Sequence, residues 1–327
     1  MQWMLTEVGV LTQRPSKPGP KQLADGWVRL KVHYCGICRT DAKMWHQGHR
    51  DLMLPRVPGH EIVAVDAADR PVVLWPGTAC GTCRYCRAER ENLCDHMQIM
   101  GFHFDGGFSH DLIAPAASLI PIPAAMPPHL ACLAEPVGCV LNALEQIRLR
   151  PTERLLIVGG GTLGLIAALA AQDLKAKPIV IERRPEKIHK ASPFLKCAQL
   201  TCLPAPPREP FDAAINACPD PAALQQAITL LVRGGRCAFF SGLAPTPPLG
   251  NSEINLLHYK ELTVIGAYGL TRRHMAAALA LIGRYPAELN LLVESILPPE
   301  TLPELLPQVL AGGAFKYILD YTGRHGC

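Results

Sequence analysis

Charge is scarce in this chain. Asp, Glu, Lys and Arg together make up 18% of its 327 residues, and the formal net charge is only +4. The lysines and arginines are scattered, so no basic stripe or block marks a nucleic-acid footprint. A secretory leader is also missing: Met1 to Val10 is apolar but holds Glu7, and it lacks a basic start and a small-residue cleavage site. The longest apolar run, Leu155 to Ala171, is too short and too rich in glycine to span a bilayer. These absences exclude nucleic-acid and membrane partners and lead us to expect a cytoplasmic globular protein. The length is ample for two domains with buried cores.

Cysteine is plentiful by contrast. Of 13 cysteines, four fall between Cys80 and Cys94, and Cys35 and Cys38 lie upstream. Without a leader, such tight spacing favours metal over disulfides. Cys80, Cys83, Cys86 and Cys94 form C-x2-C-x2-C-x7-C, which suits a closed tetrahedral zinc. An iron–sulfur cluster is the rival, but the last spacing is wrong for that class and a second cluster motif is missing. Around this loop lie Tyr34-Cys35-Gly36-Ile37-Cys38-Arg39-Thr40-Asp41 and Pro58-Gly59-His60-Glu61. Cys, His and carboxylate are the ligand types of a catalytic zinc with one position open; spacing alone does not choose between Cys35 and Cys38.

The first 135 or so residues read as short strands and loops, with runs such as Trp27 to Val32 and Ile62 to Val65. From about Thr152 the pattern changes. Leu155 to Val158 reads as a buried strand, Leu163 to Leu174 as an apolar helix and Lys177 to Glu182 as a second strand. Asp212 to Asn216, Arg236 to Phe240 and Leu262 to Ile265 continue the alternation, which implies a parallel sheet with helices on both faces. After Ala267 come helical runs and a strand-like Tyr317 to Tyr321. The proline-rich stretches Pro204 to Pro210 and Pro245 to Pro248 read as surface loops.

Gly159-Gly160-Gly161-Thr162-Leu163-Gly164 follows the first of these strands and opens the apolar helix, the context a dinucleotide fingerprint requires. Gly159 permits the tight turn, Gly161 the approach of a pyrophosphate and Gly164 close helix–strand packing. Glu182, about 20 residues on, stands where an acid binds a ribose 2′-hydroxyl. Arg183 and Arg184 follow it and would suit a 2′-phosphate, yet Glu182 would repel that phosphate. NAD is therefore expected, with NADP the alternative.

Taken in order, Gly36-Ile37-Cys38-Arg39-Thr40-Asp41, Gly59-His60-Glu61, the four-cysteine loop, Gly106-Gly107-Phe108, Glu135-Pro136 and the glycine fingerprint resemble the zinc-containing medium-chain alcohol dehydrogenases. The Glu135-Pro136 pair resembles the polyol and threonine dehydrogenase branch. The resemblance implies an α/β chain: a mostly β, GroES-like catalytic domain (1–137 and 267–327) and a Rossmann doubly wound coenzyme domain (138–266). It implies one catalytic and one structural zinc. Cys38 and His60 would be catalytic-zinc ligands, with Glu61 or Glu135 as the third ligand or a carboxylate close by. Thr40 would bond the substrate hydroxyl. Arg39 and Lys316 would face the cofactor pyrophosphate beside Gly159, Gly161, Thr162, Leu163, Gly164, Glu182 and Arg183. Assembly into a homodimer or homotetramer is implied, with Leu262 to Ala267 resembling a pairing edge strand. Two departures stand out. Lys43 occupies the place of a proton-relaying histidine, with His46 three residues on, and the stretch from Glu61 to Cys80 is short. The expected activity is hydride transfer between a small-molecule alcohol and NAD. The alternatives are an NADPH-dependent carbonyl reductase and a non-catalytic relative that keeps the fold.

Overall fold

The structure is a computed structural model that describes residues 1–16, 20, 22–243 and 250–323. Pro245 to Pro248 lie outside the described residues, whereas Pro204 to Pro210 form turns and loop as expected. The chain divides into two compact units, Met1–Pro136 with Leu270–Cys327, and Val137–Gly269.

The first unit is built on a mixed sheet of seven strands among the described residues. Its spine is Trp27–Gly36, which pairs antiparallel with Glu61–Val65, Asp111–Pro115 and Lys316–Asp320. Every residue of Glu61–Val65 is buried. The apolar run Ile62-Val63-Ala64-Val65 therefore does not alternate, because both faces of the strand are covered. The register decides where chemistry gathers. Gly36 lies opposite both Glu61 and Ile318, so one sheet corner brings together the end of the spine, the start of the next strand and Lys316. The core beneath includes Ile37, Ile62, Leu74, Met100 and Phe108.

The second unit is a six-stranded parallel sheet among the described residues. In spatial order its strands are Thr201–Leu203, Lys177–Ile181, Arg154–Val158, Phe211–Asn216, Leu231–Phe239 and Thr263–Gly266. Numbered along the chain, that is the doubly wound order 3-2-1-4-5-6. Leu155, Leu156 and Ile157 are wholly buried, as a central strand covered on both faces requires. Truncating one of them to Ala costs roughly 2–5 kcal/mol. The helix Thr162–Asp173 is apolar almost all round because Gly164 through Ala171 are buried. No helix among the described residues is long and apolar enough to cross a membrane.

Candidate active site

Cys38 ends the spine strand's extension and caps the helix Arg39–Gln47. Its side chain accepts the N–H of Thr40 at 3.4 Å, and the Asp41 carboxylate accepts the N–H of Cys38 at 2.9 Å, a reciprocal capping box. Asp41 is fully buried, and its second oxygen reaches into the other motif. Asp41 Oδ1 accepts the N–H of Gly59 at 3.2 Å and lies 3.2 Å from His60 Nδ1. The histidine contact has ion-pair distance without hydrogen-bond alignment. Gly59 sits at φ +95°, and a Cβ there would meet Phe108 at 2.7 Å and Cys35 Sγ at 3.0 Å. Only glycine fits the turn that aims His60. Asp41 carries no role in the sequence reading above, and its cap spacing three residues after Cys38 is the signal that points to it.

The ligand atoms of Cys38, His60 and Glu61 lie within 4.8 Å of one another. Thiolate, imidazole and carboxylate form a donor set that suits zinc. Burial opposes charge on His60, but Asp41 and Cys38 outweigh it and push its pKa well above the usual histidine range. Cys35 is elsewhere. It is fully buried, its thiol faces the carbonyl of Gly36, and Gly59 and Gly107 close over it. Burial raises its pKa well above the ordinary thiol value, which suits a core side chain and not a ligand.

Glu61 and Lys316 form a buried bidentate pair, with Nζ 2.6 and 2.7 Å from the two carboxylate oxygens and 3.2 Å from the carbonyl of Ile37. Gly36 makes room for it, since a Cβ there would stand 2.1 Å from Glu61 Oε2. This corrects the reading of Lys316. Its ammonium turns inward to the carboxylate, so it does not stand at the surface for a pyrophosphate, because a buried charge needs a partner more than a solvent-facing one does. Burial alone would lower its pKa, but Glu61 first, then Cys38 and Glu135, raise it. Glu135 is half-buried in the first turn of Ala134–Gln146, outside the three-residue cluster but close enough to act on Lys316. Arg39 is exposed, and one of its guanidinium nitrogens donates to the carbonyl of Leu310.

Cys80, Cys83, Cys86 and Cys94 bring their sulfurs within 4.8 Å of one another. The closest pairs are 3.5 Å (Cys83–Cys86) and 4.0 Å (Cys80–Cys86). Four sulfurs at ~2.3 Å from one tetrahedral ion stand roughly 3.8 Å apart, so the spacing fits a single zinc. Backbone N–H groups of Cys83, Cys80 and His96 point at the sulfurs. Hydrogen bonds from the backbone and hydroxyl of Thr82 lead the effects that pull the Cys80 thiol down to about 5.

In the second unit Gly159 has φ +121°, and a Cβ on Gly164 would stand 1.9 Å from its carbonyl oxygen. Gly161 caps the helix start with open space where its Cβ would be. Thr162 and Leu163 form the first helical turn. Glu182 accepts the N–H groups of Gly160 at 3.1 Å and Arg184 at 3.0 Å, so the acid sits over the glycine turn. Arg183 is held by Asp220 at 2.6 Å.

The Alcohol dehydrogenase GroES-like domain family model matches residues 24–124. The chain is 29% identical to L-galactonate-5-dehydrogenase of Escherichia coli (strain K12) over 287 residues, 81% of each chain. It is 28% identical to D-altritol 5-dehydrogenase of Agrobacterium fabrum over 306 residues, 87% of this chain and 88% of the relative. Among solved structures, alcohol dehydrogenase TADH from Thermus sp. ATN1 superposes with a TM-score of 0.83 at 26% identity, over 98% of this chain and 99% of that one.

Proposed function

We propose that this chain, which belongs to the zinc-containing medium-chain alcohol dehydrogenase family, oxidises a polyhydroxylated secondary alcohol to its ketone with zinc and NAD. The observation that carries this is the convergence of Cys38, His60 and Glu61 at one buried corner, held by Asp41. Relatives named for L-galactonate and D-altritol support the substrate class. When bound, zinc supplies Lewis acidity to the substrate oxygen and the nicotinamide accepts a hydride.

The chain's residues do the rest. Cys38 and His60 hold the metal, with Glu61 and Glu135 as neighbouring carboxylates and Lys316 as their counter-ion. Asp41 sets its charge 3.2 Å from His60 Nδ1, the place from which an outer carboxylate supports a metal-bound imidazole. The Thr40 hydroxyl accepts the proton of the substrate hydroxyl as it passes its own on toward bulk water. Cys80, Cys83, Cys86 and Cys94 hold a structural zinc. Gly159, Gly161, Thr162, Leu163 and Gly164 cradle the pyrophosphate at a helix start, and Arg39 adds a cation. Glu182 binds the ribose diol. Because Arg183 is engaged by Asp220, NAD is preferred over NADP. A second copy adds to the sheet through Thr263–Gly266, an edge strand whose Val264 is exposed, in a cytoplasmic homo-oligomer.

The test combines metal analysis with nicotinamide absorbance over a panel of polyols, sugar acids and simple alcohols with both cofactors. Two zincs per chain and NAD-dependent turnover are expected. One zinc and no turnover on any alcohol would overturn the proposal.

A further inference from the structure

One cation beside the metal corner has no role in the scheme above. Lys43 follows Arg39 by four residues on the helix Arg39–Gln47, so the two share a face. It stands about 7.5 Å along the helix axis from Cys38. Its side chain is half-buried, and among the described residues no hydrogen bond or ion pair reaches its ammonium. The charges around it are the wrong ones. Burial and then Arg39 disfavour its cation, with only the Cys38 sulfur in its favour. His49, in the loop after the helix, feels Lys43 as a like charge; burial lowers its own pKa, and Asp51 opposes that.

The carboxylates of the neighbouring segments are engaged elsewhere. Asp51 is 3.2 Å from Arg50 and 3.8 Å from His49. Asp105 bonds Arg56 at 2.8 Å. Asp41 serves Cys38, Gly59 and His60, and Glu61 serves Lys316. A half-buried ammonium beside a guanidinium, with the Cys38 sulfur but no carboxylate to favour it, is placed to take an anion that a ligand brings.

We propose that Lys43 binds a carboxylate of the substrate, so that the preferred alcohol is a sugar acid whose carboxylate lies several carbons from the reacting hydroxyl. This rests on the functional reading above and narrows its substrate class. The carboxylate forms a charge-assisted hydrogen bond with the Lys43 ammonium, while Arg39, the more exposed cation, is left to the cofactor.

The test compares kcat/KM for six-carbon aldonates with that for the alditols of the same stereochemistry. In Lys43→Gln the aldonate-to-alditol ratio should fall by roughly tenfold to a hundredfold, mainly through KM, the size of one hydrogen bond between charged partners. Lys43→Arg should restore most of the ratio, and His46→Gln, an exposed control on the same helix, should leave it at the wild-type value. An unchanged ratio in Lys43→Gln overturns the proposal. So does a loss confined to NAD affinity measured without substrate, which would give the cation to the cofactor. A second measurement does not need turnover: the rate at which an amine-reactive reagent modifies Lys43, followed by mass spectrometry. Gluconate should slow it and sorbitol should not; equal rates in both overturn the proposal. Selective protection in a chain that oxidises no alcohol would instead place the fault in the functional reading.

Discussion

Asp41 ties the Cys38 motif to the His60 motif, and its replacement separates two effects. Asp41→Ala removes the acceptor for two backbone N–H groups, of Cys38 at 2.9 Å and Gly59 at 3.2 Å. Hydrogen bonds to a charged group are worth about 1.5–3 kcal/mol each, so the loss is roughly 3–6 kcal/mol. That is a large share of the ~5–15 kcal/mol by which domains are stable. Asp41→Asn keeps the shape and one acceptor oxygen, but loses the charge that faces His60 Nδ1 at 3.2 Å. Outer carboxylates of this kind typically contribute about 10–100-fold in metal affinity. The expected result is that Asp41→Asn folds, keeps the four-cysteine zinc and releases the second zinc to chelator at a concentration lower by that factor. Metal loading at this corner should also strengthen with rising pH. Asp41 and Cys38 hold His60 protonated above the usual range, and the proton must leave before the nitrogen binds metal. Chelator titration with metal analysis at two pH values is the assay. Wild-type retention of both zincs by Asp41→Asn would refute the role given to the carboxylate.

Three further outcomes follow from the same geometry. Cys38→Ala should lose one zinc and nearly all turnover, whereas Cys35→Ala should keep both metals; metal counts that come out the other way round would reverse the assignment. Cys94→Ser should lose the other zinc and lower the melting temperature, because the loop has little core of its own; unchanged zinc and melting would show the loop is misread. Glu182→Ala should weaken NAD and shift preference toward NADP, read from KM for each cofactor, and a wild-type enzyme that already prefers NADP by about tenfold, or 1.4 kcal/mol, would contradict the role of the acid.

The parts that could be read from the sequence share a property: their signal is local. The central strand Leu155–Val158 is a continuous apolar run because both faces are buried. Gly159, Gly161 and Gly164 are fixed by their own turn, and the four cysteines fall within one short loop. Segments whose character is set by distant partners were missed. The hairpin of Gln2–Glu7 with Val10–Arg14 reads in the sequence only as an apolar start, since its second strand is largely exposed and carries no alternation. Val293–Leu297 is a half-exposed edge strand with no continuous apolar run. The inward turn of Lys316 is the clearest case: its partner Glu61 is 255 residues away, and nothing near Lys316 in the chain announces a buried carboxylate.

That pair also bears on which carboxylate completes the metal corner. For Glu61 to bind the ion through an oxygen it would have to give up part of its hold on Lys316, whose ammonium also donates to the carbonyl of Ile37. Stripping one member from a buried ion pair costs about 3–5 kcal/mol. Left in place, Lys316 neutralises Glu61, and a zinc held by Cys38 and His60 would have its charge opposed mainly by the Cys38 thiolate and would keep its Lewis acidity for a substrate oxygen. Lys316→Met therefore should do two things: destabilise the fold by roughly that 3–5 kcal/mol, and release Glu61 to bind the metal, slowing turnover. Glu61→Gln with Lys316→Met removes both charges together, so its melting temperature should recover toward wild type. Denaturant unfolding of the two single variants and the double variant is the measurement. Additive losses, with no recovery in the double variant, would show that the pair does not act as a unit and that Glu61 meets the metal independently of Lys316.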